Sequence, residues 1–307
     1  MKIAIVGAGA VGGWYGGLLA QQGHEVYFVT RRDCEIINQQ GLCMRDAKGD
    51  KIVKIKKAYP DCGSIGVCDL IVIAAKSTAN LTLPDFIKTL IGQNTVLLTL
   101  QNGMGNCETF ASVIAVERIV AGLCFVCINR IGPGIVKNTH SGYVRMASAF
   151  GPPTESVKQC VQLFSDAGVD CQSEQSLDVV LWKKLCWNIP FNGLSIAGGG
   201  ITTDKIMSNV LLRERAVELM KEVQAAAAAC GAPFKDEHIE RQIKVTAGMG
   251  AYRPSSLIDY LEGREVEVAG LWGEPLRRGL AAGVSMPKLS QLKIEIEQKL
   301  QARDRLT

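Results

Sequence analysis

A glycine-rich segment near the N-terminus carries the first residues whose spacing points to chemistry. Gly7-Ala8-Gly9-Ala10-Val11-Gly12 follows the strand-like apolar run Ile3–Val6 and opens the helical pattern of residues 10–22. In such a place the first glycine permits a tight turn, the second lets the backbone approach a pyrophosphate, and the third lets the helix pack on the strand. The helix amides would then face the phosphates. This context favours a dinucleotide-binding turn over a glycine-rich connection without a ligand.

The residues after the second predicted strand, His24–Val29, bear on which dinucleotide is bound. Arg31 and Arg32 come first, and Asp33 follows them. A carboxylate at this place accepts a hydrogen bond from the ribose 2′-hydroxyl of NAD, whereas a guanidinium binds the 2′-phosphate of NADP with its planar donor fork. The two arginines favour NADP. The alternative is that both arginines form a solvated turn and that Asp33 binds the ribose.

A second set of polar residues lies far along the chain, in a segment with helical periodicity. Lys184, Asn188 and Asn192 are four residues apart, so a helix would place them on one face. Hydride addition to a ketone makes an alkoxide, to which a lysine could deliver a proton. The alternative is an amphipathic helix with a solvated polar stripe. Pro190 interrupts this segment, so we expect a kink after which spacing alone does not align Asn192 with Lys184.

The elements that must position these residues change in character along the chain. After the first two strands, apolar runs of strand length cover residues 69–75, 95–100, 119–128 and 134–143. Such runs are typical of a parallel sheet covered on both faces. From about Ser173 helical patterns dominate, over residues 177–194, 208–229, 236–249, 255–262, 265–282 and 287–303. We predict a Rossmann-type, doubly wound, mostly parallel α/β domain over residues 1–170 and an all-helical domain over residues 171–307.

Composition narrows the class of protein. The 307 residues are 47% hydrophobic and 21% charged, with a formal net charge of +4 and no run of five like charges, so a nucleic-acid partner is not expected. No apolar run approaches the roughly 20 residues that span a bilayer, and no signal peptide is visible. Eleven cysteines, an odd number among apolar neighbours, favour a reducing cytoplasm. With three histidines we expect no metal site. The expected assembly is a monomer or a homodimer.

Further motifs occur in a fixed order along the chain. They are Ala75-Lys76-Ser77, Gln101-Asn102-Gly103-Met104-Gly105, Trp182-Lys183-Lys184-Leu185-Cys186-Trp187-Asn188, and Ser255-Ser256 ahead of Glu267. In this order and spacing the series resembles the ketopantoate reductases (2-dehydropantoate 2-reductases), over nearly the whole chain. The glycine turn is shared by many families, but the combination of Lys-Leu-x-x-Asn, Asn-Gly-Met-Gly and Ser-Ser with a later Glu is much more specific.

The resemblance implies a role for each matching residue. The general acid is Lys184, and the substrate is bound by Asn102, Asn188, Asn192 and Ser256. The 2′-phosphate of the cofactor is held by Arg31 and Lys76. The cofactor also lies against the glycine turn and near Asn102 and Glu267.

One departure bears on the substrate. Where the family has an asparagine three residues before the second serine, this chain has Arg253, which would pair with a substrate carboxylate or accommodate a different 2-oxo acid. The resemblance implies NADPH-dependent reduction of 2-dehydropantoate to pantoate, in pantothenate and coenzyme A biosynthesis. Two alternatives stay open: a reductase of another 2-oxo acid or ketone, and a catalytically silent dinucleotide sensor, against which the retained Lys184 speaks.

Overall fold

The chain is divided into two compact units. The computed structural model describes residues 1–305. The N-terminal unit contains Met1–Gln101 and Asn106–Leu177, and the C-terminal unit contains Asn102–Gly105 and the chain from Asp178 onward. The boundary predicted after residue 170 lies too early, because the strand that begins at Cys171 still pairs with the sheet of the N-terminal unit.

A ten-stranded sheet forms the centre of the N-terminal unit. Its strands are β1 (Lys2–Val6), β2 (Glu25–Val29), β3 (Leu42–Asp46), β4 (Gly49–Val53), β5 (Lys57–Tyr59), β6 (Leu70–Ile73), β7 (Val96–Thr99), β8 (Ile119–Gly132), β9 (Ile135–Ser148) and β10 (Cys171–Ser173). The order is β4-β3-β9-β8-β7-β6-β1-β2-β5, and β10 pairs with β9. The pairs β3–β4 and β8–β9 are antiparallel and the others are parallel, which confirms the mostly parallel Rossmann-type sheet.

Five α-helices accompany this sheet. They are α1 (Ala10–Gln21), α2 (Cys34–Gln40), α3 (Leu83–Phe86), α4 (Asn106–Phe110) and α5 (Glu155–Asp166). Short 3-10 turns cover Ser77–Ala79, Lys88–Leu90 and Val116–Arg118. Strands β6 and β7 are buried at every residue, as expected for central strands with both faces covered.

Glycines let α1 lie unusually close to the strands. A Cβ on Gly16 would come within 2.4 Å of the Phe28 ring on β2, and a Cβ on Gly17 within 2.4 Å of the Met44 sulfur on β3. Because β2 and β3 lie on opposite sides of β1 in the strand order, the sheet curls around α1. The helix that follows the glycine turn is therefore fixed from two directions.

The hairpin β3–β4 has no counterpart among the predicted strands. It lies at the edge of the sheet, and four of the five residues of β4 are exposed and only Val53 is buried, so the segment lacks the continuous apolar run of a central strand. The alternation of buried Leu42 and Met44 ahead of the turn that contains Gly49 is the signal that would have identified it.

The C-terminal unit is built from helices. They are α6 (Leu177–Ala197), α7 (Thr203–Ser208), α8 (Val210–Ala229), α9 (Asp236–Ala247), α10 (Ser255–Leu261), α11 (Glu274–Ala281) and α12 (Pro287–Asp304). Residues 189–196 of α6 are all buried, so this helix forms the centre of the core. It runs through Pro190 as one element, despite the backbone hydrogen bond that proline cannot donate. Within residues 1–305 no helix combines the length and hydropathy needed to cross a bilayer.

The helix predicted over residues 265–282 is wrong in its first half. Residues 265–267 are irregular, and Ala269–Gly273 forms a π-helical turn ahead of α11. Pro275 cannot donate the hydrogen bond that would continue an α-helix through this region. The Trp272 indole N–H donates to the backbone oxygen of Ile189 at 3.0 Å, which attaches the turn to α6.

We predict that Gly16→Ala destabilises the protein by about 1–3 kcal/mol, because the added methyl overlaps the Phe28 ring. Gly273→Ala is the matched control, since its helical φ is −68° and the nearest atom to an added Cβ lies 3.7 Å away. Alanine there should leave stability unchanged or raise it by up to about 1 kcal/mol. The free energy of unfolding in urea distinguishes the two, and equal losses in both variants would contradict the packing argument.

Candidate nucleotide and catalytic sites

The glycine turn of the N-terminal unit has the close contacts that its sequence predicts. Gly7 has φ +94° and donates its backbone N–H to the Val29 oxygen at 3.0 Å. A Cβ on Gly7 would lie 2.4 Å from the backbone nitrogen of Ala75, and a Cβ on Gly12 would lie 2.3 Å from the Gly7 oxygen. Both positions therefore require glycine.

Gly9 lies in a different environment from the glycines on either side of it. No atom lies within 4 Å of the position that a Cβ on Gly9 would occupy. Gly9 is also the N-cap of α1, and the first backbone N–H groups of a helix have no partner within the helix. Space beside Gly9 and amides at a helix N-terminus fit the pyrophosphate of a dinucleotide.

Two basic side chains lie at the same sheet edge as the glycine turn. Strands β6, β1 and β2 are parallel neighbours, and Lys76, Gly7 and Arg31 each follow the carboxyl end of one of them. Arg31 is exposed and Lys76 is half-buried. The carboxyl edge is where open α/β sheets bind their ligands, so this edge offers positive charge to an anionic group.

Asp33 follows Arg31 and Arg32 but has a partner from a distant part of the sheet. Arg130 on β8 donates from Nε and Nη2 to the two carboxylate oxygens, each at 2.6 Å. Burial alone would raise the pKa of the Asp33 carboxyl, but the bonds from Arg130 and from the Gly134 backbone hold that pKa below its ordinary value. Arg130 is absent from the sequence prediction, because it is 97 residues from Asp33 and nothing in the local sequence marks the contact.

In the C-terminal unit the structure brings together the predicted acid, Lys184, and the predicted site residue Asn102. Lys184 on α6 donates from Nζ to Oδ1 of Asn102 at 2.8 Å. Both residues are half-buried, and the hydrogen bond restricts the position of the ammonium. The pair links residues 82 positions apart in the sequence.

The backbone after Asn102 explains how the asparagine is held against Lys184. Gly103 has φ +85°, and a Cβ there would lie 2.6 Å from the carbonyl carbon of Gly270. The Met104 N–H donates to the Gly270 oxygen at 2.9 Å, and the Met104 side chain is buried in the core of the C-terminal unit. The Asn-Gly-Met-Gly motif therefore fixes the segment on the π-helical turn.

The two later asparagines of α6 have different surroundings. Asn188 is half-buried, whereas Asn192 is only 1% exposed. Asn192 accepts a hydrogen bond at Oδ1 from the backbone N–H of Ser256 at 2.9 Å, in the first turn of α10. Asn192 therefore holds the start of α10 in place, and the Ser256 side chain is positioned through it.

Helix α9 fastens the part of α6 that carries Lys184, and the sequence prediction contains neither of its contacts. His238 donates from Nε2 to the Lys183 backbone oxygen at 3.0 Å, and the Trp187 indole donates to Oγ1 of Thr246 at 2.9 Å. Burial lowers the pKa of the His238 imidazole, which favours the neutral ring. These contacts lie on either side of Lys184 along the helix and restrict its rotation.

The other two predicted residues of the C-terminal unit lie just ahead of helical segments. Arg253 is exposed two residues ahead of α10, and Glu267 is half-buried ahead of the π-helical turn. Among residues 1–305, no three or more His, Cys, Asp and Glu side chains are grouped so as to hold a metal ion.

Comparisons with known proteins agree with this division of the chain. The family model described as ketopantoate reductase PanE/ApbA matches residues 3–150, and the model of its C-terminal region matches residues 176–298. A 2-dehydropantoate 2-reductase from Nostoc sp. is 35% identical over 95% of this chain and 92% of its own length.

Solved structures of known proteins also resemble this chain over almost its whole length. The 2-dehydropantoate 2-reductase from Geobacter metallireducens is 37% identical and has a TM-score of 0.93, over 97% of this chain and 99% of its own. A D-mandelate dehydrogenase solved with NADH and anilino(oxo)acetate shares the fold at 22% identity, with a TM-score of 0.90 and 99% coverage of both chains. Two family models across most of the chain and relatives above 30% identity establish that it belongs to the ketopantoate reductase family.

Proposed function

We propose that this protein reduces 2-dehydropantoate to pantoate with NADPH, and that the product serves pantothenate and coenzyme A biosynthesis. The hydrogen bond from Lys184 to Asn102 is the observation that carries the proposal, because it presents a fixed ammonium beside an amide on the family's own motif residues. The bound cofactor supplies the hydride. The family relationship, the names of the relatives and the glycine turn support this reaction class.

Lys184 acts as the general acid in this proposal. Reduction of the ketone places negative charge on the carbonyl oxygen, and an ammonium beside that oxygen stabilises the charge and then donates a proton. Asn102 accepts one N–H of the ammonium and so limits the directions in which the others point. The contacts from α9 keep this part of α6 fixed, which preserves that direction when the substrate binds.

The substrate is held by polar side chains of the same unit. Asn188 can donate to a carboxylate and accept from a hydroxyl, and Ser256 is held on α10 through Asn192. Arg253 provides a planar cation for the substrate carboxylate. Glu267 orients either a substrate hydroxyl or the cofactor ribose.

Two features of the N-terminal unit support NADPH over NADH. Arg31 and Lys76 follow neighbouring parallel strands and offer positive charge to a 2′-phosphate. Asp33, the carboxylate that would otherwise bind a ribose 2′-hydroxyl, already has both oxygens bonded to Arg130. The interpretation in which Asp33 binds the ribose would require that ion pair to break.

A second candidate is reduction of another 2-oxo acid by the same residues. The arginine at position 253 favours it, since the family pattern has an asparagine there and a guanidinium changes the space and charge offered to the substrate. The shared fold of a D-mandelate dehydrogenase is consistent with a different 2-oxo acid on this scaffold.

The direct test is a steady-state assay of several 2-oxo acids with NADPH and with NADH. We expect kcat/KM for 2-dehydropantoate with NADPH to exceed that for pyruvate by at least about a hundredfold, because a branched, hydroxylated substrate uses more of the polar groups. Equal turnover of 2-dehydropantoate, pyruvate and 2-oxoisovalerate would refute the substrate assignment and favour the second candidate.

Lys184→Ala should lower kcat at least about a hundredfold, because the variant lacks the ammonium that donates the proton in this proposal. Lys183→Ala is the matched control, since the neighbouring side chain lies on another face of α6 and should change kcat by less than about twofold. The oxidation of NADPH followed at saturating substrate measures both. An unchanged kcat in Lys184→Ala would remove this lysine from the mechanism.

Arg31→Ala and Lys76→Ala should each raise the Kd of NADPH about tenfold or more and that of NADH by less than about threefold, because only NADPH carries the 2′-phosphate. Lys54→Ala, an exposed lysine between β4 and β5, controls for the loss of one positive charge. Fluorescence titration with each reduced cofactor gives the Kd values for the three variants and for the wild-type protein. Equal weakening of both cofactors would overturn the choice of NADPH.

A further inference from the structure

We propose that Arg130 determines the cofactor preference by holding the Asp33 carboxylate away from the ribose. Arg130 is thus a positioning residue that acts through Asp33. The inference rests on the proposed use of NADPH and extends it to a residue outside the family motifs. Asp33 and Arg130 both belong to the N-terminal unit.

The geometry of the pair engages both carboxylate oxygens of Asp33. The two donors of Arg130 reach the two carboxylate oxygens in a planar, bidentate arrangement, both at 2.6 Å. The Gly134 backbone also acts on this carboxyl and lowers its pKa. The Asp33 side chain is 4% exposed, against 33% for Arg130, so the acid is withdrawn below the surface.

The position of Asp33 in the fold explains why burial of its carboxylate would affect cofactor binding. Asp33 follows β2 and is the N-cap of α2, at the sheet edge where dinucleotide-binding folds hold a carboxylate against the ribose 2′-hydroxyl. Arg31 and Arg32 immediately precede it and are exposed at that edge. The segment thus contains a carboxylate suited to NAD and guanidinium groups suited to NADP. Arg130 binds the carboxylate and so keeps it from the ribose.

Loss of Arg130 would act against NADPH in two ways. A buried carboxylate without its partner is costly, so Asp33 would turn toward water or toward the nearest cation. Arg32 already interacts electrostatically with Asp33, and a released carboxylate would compete with the 2′-phosphate for the arginines. The released carboxylate would also repel the phosphate directly. Neither effect weakens the binding of NADH, because its 2′-hydroxyl can donate a hydrogen bond to a carboxylate.

The test compares the Kd values of NADPH and NADH for the wild-type protein, Arg130→Met, Asp33→Asn and the double variant, by fluorescence titration. We expect Arg130→Met to raise the Kd of NADPH about tenfold or more while that of NADH stays within about threefold or falls. The double variant, which has neither charge, should return the ratio of the two Kd values to within about threefold of wild type. Asp33→Asn alone should keep the preference for NADPH.

Each outcome bears on a different part of the proposal. Equal weakening of both cofactors in Arg130→Met would mean that the pair only supports the fold, and an unrestored double variant would mean that Arg130 contributes through its own charge. Either result overturns the inference and leaves the use of NADPH intact. A wild-type protein without preference for NADPH would overturn the proposed cofactor itself, and the inference with it.

A folding control keeps the test decisive. Circular dichroism and the melting temperature report whether Arg130→Met retains the native fold. If it does not, Arg130→Lys keeps the positive charge but loses the bidentate geometry. This variant should raise the Kd of NADPH by about two- to fivefold with NADH unchanged, and an unchanged ratio would again overturn the inference.

Discussion

Any side chain on Gly103 would overlap the backbone of Gly270, and the candidate catalytic site depends on the close approach that glycine permits. The Met104 N–H can reach the Gly270 oxygen at 2.9 Å only while Gly103 keeps its positive φ against that backbone. This contact places Asn102 in the C-terminal unit, where its amide oxygen meets Lys184. A substitution at Gly103 would therefore change the position of the proposed acid's partner without touching either side chain.

Helix α6, which carries the proposed acid, is held in place by hydrogen bonds from several sides. The Trp272 indole and the His238 imidazole donate to its backbone oxygens, and the Asn192 amide accepts from the backbone of α10. All three side chains are at least partly buried. Removal of the Asn192 amide would leave the buried Ser256 N–H without its partner, at a cost of about 1–3 kcal/mol. A helix attached in this way holds Lys184 on a rigid element, which an acid that must meet one oxygen requires.

The sequence predicts the parts of the fold whose signals are local. The apolar runs that become β1, β6 and β7, the helices of the second half and the glycine turn all follow from periodicity and turn residues. The hairpin β3–β4 does not, because its strands are short, charged and at the edge of the sheet. Periodicity does not predict the π-helical turn either. Pro275 lies inside an otherwise helical sequence pattern, and the conformation ahead of it depends on the hydrogen bond from Trp272 to α6.

In the candidate site, too, the sequence predicts the residues that carry local motifs and does not predict their long-range contacts. The family motifs identify Lys184 and Asn102, but spacing on a helix cannot show that Asn192 is buried against α10 while Asn188 is not. The α9 contacts and the Arg130 ion pair join residues that are far apart in sequence and carry no motif. Long-range partners of this kind are known only once the topology is known.

The segment after β2 shows why a local sequence rule about cofactors is incomplete. Arg31, Arg32 and Asp33 together carry one net positive charge, which by itself suits either a phosphate or a hydroxyl, depending on which side chain faces the ligand. Arg130 adds a second positive charge and, because it binds both oxygens of Asp33, also removes the acid from the surface. The electrostatic character of the edge therefore depends also on a residue on β8, which lies on the other side of β1 from β2 in the strand order. A carboxylate after β2 indicates a ribose hydroxyl only where no such partner holds it.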